Sequence, residues 1–384
     1  MFEYNVFIFW NVRTIIYLAY FDMFFKCCVH KSVFLAYFSN GTIILKEKDM
    51  STKKYFASSN SVKGFVNYFP DVFGSCRRLY IVKGGPGTGK SRFLSDAASR
   101  GHEVTYYYCS SDWESLDGVL IDGWLGLIDG TAPHVFEPSC VGAFEQIVNL
   151  GEFWNEKLLT AQRAEIEFLS AEKSRCYSQA YAYLSAIGEA ERGICYRLQS
   201  ALDGEKLRRA ASRLLRGATI AEKPKYQIGL CSAVGMKGEA HFDTYETTKI
   251  SFAISDNMGL AWFLLAEIEK LCRMRGISCR ISPSYLFPDR LDALELIGQD
   301  ISFFSGEREN SIYMKKFFYV DKMRAVRSVL RGTRETQKRL KDYAIEALSR
   351  ASEAHFALEK VYAEAMDFEA KEQFTSEFCT KLFG

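Results

Sequence analysis

Several familiar signatures are missing from this sequence. It has no C-x-x-C pair and no framework of cysteine and histidine at zinc-finger spacing, so a zinc site is not expected. Net charge is only +2 over 384 residues, so bulk charge gives no signal for nucleic acid or an anionic membrane. The aromatic-rich start is interrupted by Asn11, Arg13 and Asp22, and its uncharged runs fall short of the roughly 18 residues of a spanning helix. A secretory leader would need a basic start and a small-residue cleavage site, and neither is present. The eleven cysteines are scattered and odd in number. They read as reduced thiols, and the expected location is the cytoplasm.

The remaining composition is that of a globular protein, 48% hydrophobic and 25% charged, long enough for two or three domains. Aromatic side chains crowd the start of the chain, from Phe2 to Phe38, far beyond their 15% share of the whole. Residues 1–49 are read as an extension, either packed on the body or preceding a true start at Met50. Residues 50–150 carry strand-like runs at 78–83, 103–109 and 124–128, with a helical pattern from Lys90 to Arg100. That order predicts a βαβ unit and a mainly parallel sheet. Residues 151–215 and 319–384 have helical spacing and little proline or glycine, and read as helical arms, each packed on its own sheet domain. Residues 216–318 form the segment between them.

The strongest chemical signal is IVKGGPGTGKSRFL, residues 81–94. Gly84, Gly85, Pro86, Gly87, Thr88, Gly89, Lys90 and Ser91 fit G-x-x-x-x-G-K-[ST] at every required position, with Arg92 next. Glycines let backbone N–H groups turn toward an anion, and the following helix adds its positive end. Lys90 is placed to reach the β/γ-phosphates, and Ser91 to give Mg²⁺ a hydroxyl. Asp129, ending an apolar strand, is the expected second metal carboxylate. It follows Lys90 at a short separation that leaves room for one intervening strand and little else. No glutamate follows it. Asp112, just past the second strand, is read either as a carboxylate near an acceptor hydroxyl or a water, or as a helix N-cap. His134 lies close beyond Asp129, as a nucleotide-sensing or simply satisfied loop histidine.

The chain also repeats itself. Lys63-Gly64 recurs as Lys237-Gly238, and Gly89 with Phe93-Leu94 recurs as Gly259 with Phe263-Leu264. SLDGV around Asp117 recurs as RLDAL around Asp292, and LGLIDG, ending at Gly130, recurs as ISFFSG, ending at Gly306. The four matches keep the same order and a nearly constant separation. In the second copy Lys90 becomes Leu260, Ser91 becomes Ala261, Asp129 becomes Ser305 and Asp112 becomes Phe287. Asp117, Lys63, Gly64 and Gly130 persist, which assigns them to the fold. The fold class expected is α/β: a P-loop NTPase parallel sheet with flanking helices, duplicated, each copy followed by a helical arm.

With CSSDWESLDGVLI and LIDGTAPHVFEP beside the loop, residues 53–384 resemble a family of bacterial tandem P-loop ATP-binding proteins, most closely over 55–154. The resemblance implies ATP or another NTP with Mg²⁺ at Gly84–Ser91 and Asp129. The expected activity is Mg-dependent NTP hydrolysis at the first loop, coupled to a protein partner through the arms. A small-molecule kinase using Asp112 and a nucleotide-dependent binding protein are the alternatives. Oligomeric state is not legible.

Overall fold

A computed structural model describes residues 52–255 and 258–384 in full, and the backbone of two strands further upstream. Those two, Phe34–Ser39 and Thr42–Glu47, pair antiparallel with each other. The remaining expectations for residues 1–49 lie outside the described residues. Residues 52–384 make one compact unit.

Six strands form the first sheet, in the order Glu145–Asn149, Arg78–Lys83, Leu125–Asp129, Leu116–Ile121, Val104–Tyr108, Lys53–Phe56. Arg78–Lys83 lies in its interior because Leu79, Ile81 and Val82 are fully buried; a strand covered on both faces carries a nearly continuous apolar run. The expected parallel sheet is in fact mixed. Leu116–Ile121 runs antiparallel to both of its neighbours, and the other pairs are parallel. It turns back through Asp122 (φ 50°) and Gly123 (φ 70°), the positive-φ pair that closes tight hairpins. The interval from Lys90 to Asp129 therefore holds a helix and two strands ahead of the one that Asp129 ends, not one intervening strand.

Residues 226–313 build a second sheet in which Ile312–Tyr313, Ile250–Ser255, Ile301–Ser305, Leu291–Leu296, Cys279–Pro283 and Tyr226–Ile228 follow one another. Read in this direction, order and strand orientation match the first sheet pair for pair. Each unit also carries a small hairpin, Ser58–Ser61 with Gly64–Asn67 and Ser232–Gly235 with Gly238–His241. The Lys-Gly pairs of the repeat sit at these turns, where Gly64 (φ 86°) and Gly238 (φ 102°) adopt angles that disfavour a side chain. Lys63 pairs with Asp289 at 2.6 Å, and Lys237 with Glu114 at 2.7 Å. Phe56 and Leu230, at matching positions of the two units, exchange both backbone hydrogen bonds, at 2.8 and 3.0 Å. Reciprocal contacts of this sort are what an approximate two-fold relation requires.

The arms are the helices Arg163–Ala201 and Val320–Glu364. They run antiparallel to each other along a seam of Ala180, Leu184 and Ile187 against Ala344, Ala347 and Leu348, all fully buried. Each fully buried leucine of this kind contributes about 2 kcal/mol. Bridges at Trp154–Met366 and Leu202–Phe318 tie the two ends of the pair. They are the same contact made twice, with Phe318 in the place of Trp154 and Met366 in the place of Leu202. The arms do not pack on their own sheets alone, as the sequence led us to expect. Helix Gly204–Leu214 follows the first arm but puts Leu207 and Ala211 against Leu264 and Ile268 of the second unit. Helix Phe368–Phe383 follows the second arm and puts Phe374, Phe378 and Cys379 against Phe93 and Leu94 of the first. Each apolar face is thus buried on the other sheet's helix.

Candidate functional site

Strand Arg78–Lys83 delivers the chain to the glycine loop. Its parallel neighbour ends beside it, with Asp129 opposite Val82. Helix Lys90–Ala98 begins at left-handed Gly89 (φ 77°) with no side-chain cap, so its first N–H groups and the positive helix end remain available to an anion. Gly87 also has positive φ, at 69°. Thr88 is buried and donates from Oγ1 to the Gly85 carbonyl at 2.9 Å, tightening the loop.

Lys90 folds back on this loop. Its Nζ donates to the carbonyls of Gly85 (2.6 Å) and Gly84 (3.2 Å) and lies 3.6 Å from Asp129 Oδ2. Thr131 donates its N–H (2.8 Å) and hydroxyl (2.5 Å) to Asp129 Oδ1, which fixes the carboxylate and leaves Oδ2 toward the loop. Ser91 Oγ accepts from the Leu116 N–H at 2.9 Å and retains its own proton and a lone pair. Ser91 and Asp129 are hard oxygen donors, and two protein oxygens completed by phosphate and water is a usual Mg²⁺ set. The residues fit the ion.

The rest of the site comes from the arms, which carry no recognisable motif. An added Cβ on Gly87 would lie 2.3 Å from the Glu359 carbonyl oxygen, and one on Gly85 3.0 Å from the Tyr362 ring. Burial first and then Asp112 raise the pKa of the Glu359 carboxyl, against the pull of Lys90, the Gly87 backbone and Lys173; its Oε1 lies 3.5 Å from His355 Nε2. Burial and then Lys90 lower the Lys173 ammonium. His355 is pushed down to about 4, by burial first and then by Lys173, so its imidazole is neutral at physiological pH. Lys371, on the last helix, is almost fully buried; its Nζ would lie 3.4 Å from a Cβ on Gly89, and the carboxylate paired with it, Glu372, is at 3.7 Å. The backbone of Glu359 thus closes over Gly87, and its carboxylate interacts with Lys90 and Lys173 beside the loop. The one trace of this in sequence is Lys371, a charge on the apolar face defined by Phe374 and Phe378.

Asp112 caps no helix, since strand Leu116–Ile121 follows it. Ser115 Oγ donates to its Oδ2 at 3.2 Å, and Oδ1 lies 3.0 Å from Lys237 Nζ of the second hairpin. Its charge acts on Glu359 and His355, so it borders the cradle while held by the second unit. Arg92 is exposed and pairs with Asp96 and Glu372, each at 3.7 Å. Asp117 anchors His134, whose Nε2 is 2.9 Å from Oδ2 and whose ring stacks on Phe69. The Cys109, Asp117 and His134 ligand atoms lie within 4.8 Å of one another. Burial lowers the His134 pKa, but Asp117 outweighs it and the net shift is upward. A raised pKa stabilises the fold below the unfolded value near 6.5, and the contribution is lost as pH rises through the folded value. Asp117→Asn should remove that support and lower the His134 pKa, which a histidine proton titration by NMR would read directly.

In the second unit Leu260 and Ala261, in place of Lys90 and Ser91, are buried in the core. A Cβ on Gly259 (φ 72°) would meet the Arg334 guanidinium at 3.1 Å. Arg334 Nε donates to the Met258 carbonyl at 2.9 Å, and Nη1 donates to Gln337 at 2.7 Å and to Glu191. Arg290 holds the other Glu191 oxygen at 2.7 Å. An ion cluster of Glu191 and Arg334 from the arms with Arg290 fills this second cradle.

Among the described residues the cysteines are all free thiols, and no helix is long and apolar enough to cross a membrane. No protein-family model, curated protein or solved structure matches the chain.

Proposed function

We propose that the chain binds ATP or another NTP with Mg²⁺ at Gly84–Ser91 and hydrolyses it, as a duplicated P-loop protein of the tandem ATP-binding kind whose second cradle is structural. One observation carries this reading. Lys90, at the start of the helix that follows one strand, and Asp129, at the end of the adjacent parallel strand, meet 3.6 Å apart at the mouth of the glycine loop. Such a pair can neutralise phosphate and hold the metal shell. Lys173 of the first arm and Lys371 of the last helix stand where they would add cationic support.

Glu359 gives the reading its mechanism. Its backbone packs so closely on Gly87 that a Cβ added there would lie 2.3 Å from the Glu359 carbonyl oxygen, and its carboxylate interacts with Lys90, the cation a phosphate would use. Nucleotide entry therefore displaces Glu359 and shifts the end of helix Val320–Glu364, which transmits the event along the paired arms to a protein partner. A second reading, a nucleotide-gated binder with negligible turnover, is favoured by the absence of a glutamate after Asp129 and by Asp112 being engaged with Lys237. The engagement of Asp112 also weighs against the kinase alternative.

The test is MgATP binding and phosphate release by the full chain. Binding with turnover supports hydrolysis, binding alone supports the gated binder, and neither overturns both. Glu359→Gln keeps the side chain's shape and removes the competing charge. It should tighten nucleotide binding about tenfold, since removing a like charge near the phosphates in a partly buried site relieves roughly 1–2 kcal/mol. A fluorescent-nucleotide titration with unchanged affinity would remove the displacement mechanism.

A further inference from the structure

The start of the second arm borders a groove of about 990 Å³ beside the filled cradle. Its floor is apolar: Met314, Phe318 and Leu330 are all nearly fully buried. Its wall is cationic. Lys315, Arg324, Arg327, Arg331, Arg334 and Lys338 line it, against a single carboxylate, Glu335. Arg334 is committed to Glu191, and Arg324 pairs with Asp321 at 3.5 Å. Lys315, Arg327, Arg331 and Lys338 have no ion-pair partner among the described residues. From residue 324 to 338 the cations recur every three or four positions, so they form one row about 21 Å long on one helix face. Tyr313 stands at the rim, 48% exposed.

The other copy supplies an internal control. In the register fixed by the two end bridges, Arg324, Arg327, Arg331, Arg334 and Lys338 correspond to Thr160, Arg163, Glu167, Ser170 and Ser174. Arg163, the one cation kept there, is neutralised by Glu167 at 2.7 Å. The row therefore owes nothing to the shared architecture of the arms. Unpaired like charges aligned on a helix are mildly destabilising, so their concentration in a groove calls for a ligand to offset them. The positive field continues past the row: partial burial, followed by Arg213 and Lys206, lowers the Lys316 ammonium.

We propose that this groove binds single-stranded nucleic acid through its phosphates. A linear row of guanidinium and ammonium groups suits a phosphodiester backbone, and the half-exposed rim Tyr313, with Lys315 Nζ 5.5 Å from its ring centroid, suits an unstacked base; a cationic track beside an aromatic platform is the combination single-strand binders use. The whole-chain charge of +2 conceals this, because it averages a local excess against acidic surfaces elsewhere.

Anisotropy of fluorescein-labelled twelve-nucleotide oligo-dT and oligo-U, with the full chain at low salt, tests the proposal. Binding of at least one in the micromolar range is expected, with log K falling against log salt with a slope of about −3, from four free cations at about 0.7 each. Arg327→Gln with Arg331→Gln should weaken binding at least roughly tenfold and reduce the slope by about 1.4. Both positions are exposed, so the fold and its circular dichroism should be unchanged. Lys90→Ala should leave oligonucleotide binding intact, which separates this site from the nucleotide cradle. Absence of saturable binding to either strand, or a double variant that binds like the parent, overturns the proposal. So does a groove-dependent preference for phosphatidylserine vesicles or poly-glutamate over both oligonucleotides.

Discussion

Lys90→Ala should lower MgATP turnover by at least about 100-fold and leave the protein folded. The size of the effect follows from what the ammonium would do. A cation fixed beside the phosphates in a half-desolvated site stabilises the charge that shifts in the transition state, and removing one such group typically costs about 10²–10³ in rate. The fold should survive because Lys90 holds nothing else together. Its partners are the carbonyls of Gly84 and Gly85, with Asp129 at a longer 3.6 Å. Phosphate release measured beside a thermal melt separates the two effects. Turnover that persists in a folded Lys90→Ala protein would place hydrolysis elsewhere.

The largest stability effect is expected in the second unit. Arg334→Ala should destabilise the fold by about 3 kcal/mol, the range seen when one partner of a buried pair is removed. Glu191 has a side chain only 4% exposed and would be left to Arg290 and Gln337. The pH dependence should change with it. Burial pushes the Glu191 carboxyl up, but Arg334 leads the groups that outweigh burial and hold it below its usual range. A depressed carboxyl contributes stability above its unfolded value near 4.5, and that contribution is lost as pH falls through the lower folded value. Without Arg334 the acid limb of the stability curve should move to higher pH. Urea denaturation from pH 3 to 7 would detect both changes; a variant as stable as the parent throughout would mean that the ion cluster does not hold the second cradle.

The glycine loop, its strand and its helix are legible in the sequence because short-range chemistry determines them. Positive φ at Gly87 and Gly89, the apolar run 79–82 and the N-terminal lysine of the helix are all local requirements. The two Lys-Gly motifs are legible too: both fall at hairpin turns, where Lys63 pairs with Asp289 and Lys237 with Glu114, and the two sheets share one strand order. Strand Leu116–Ile121 escapes such a reading because its Asp-Gly turn signals are shared with loops, and an antiparallel strand inside an otherwise parallel sheet has no periodicity of its own. The arm side of the site is illegible for another reason. Glu359 and Lys173 are separated from the loop by long stretches of chain, and on a helix a charge meant for a buried cradle looks like any solvated one. Only the antiparallel pairing of the arms brings these groups to Gly87.

The exchange of terminal helices also sets an order in time. During synthesis the first sheet emerges early, yet the apolar face of helix Lys90–Ala98 is covered by Phe374 and Phe378, from the far end of the sequence. Until that segment leaves the ribosome, Phe93 lacks the rings that cover it, and the loop lacks both Lys371 and the arm that closes over it. Contacts this distant in sequence form late and leave nascent intermediates prone to aggregate. A chain truncated before residue 368 would thus carry the glycine loop without the rings of Phe374 and Phe378 that cover Phe93.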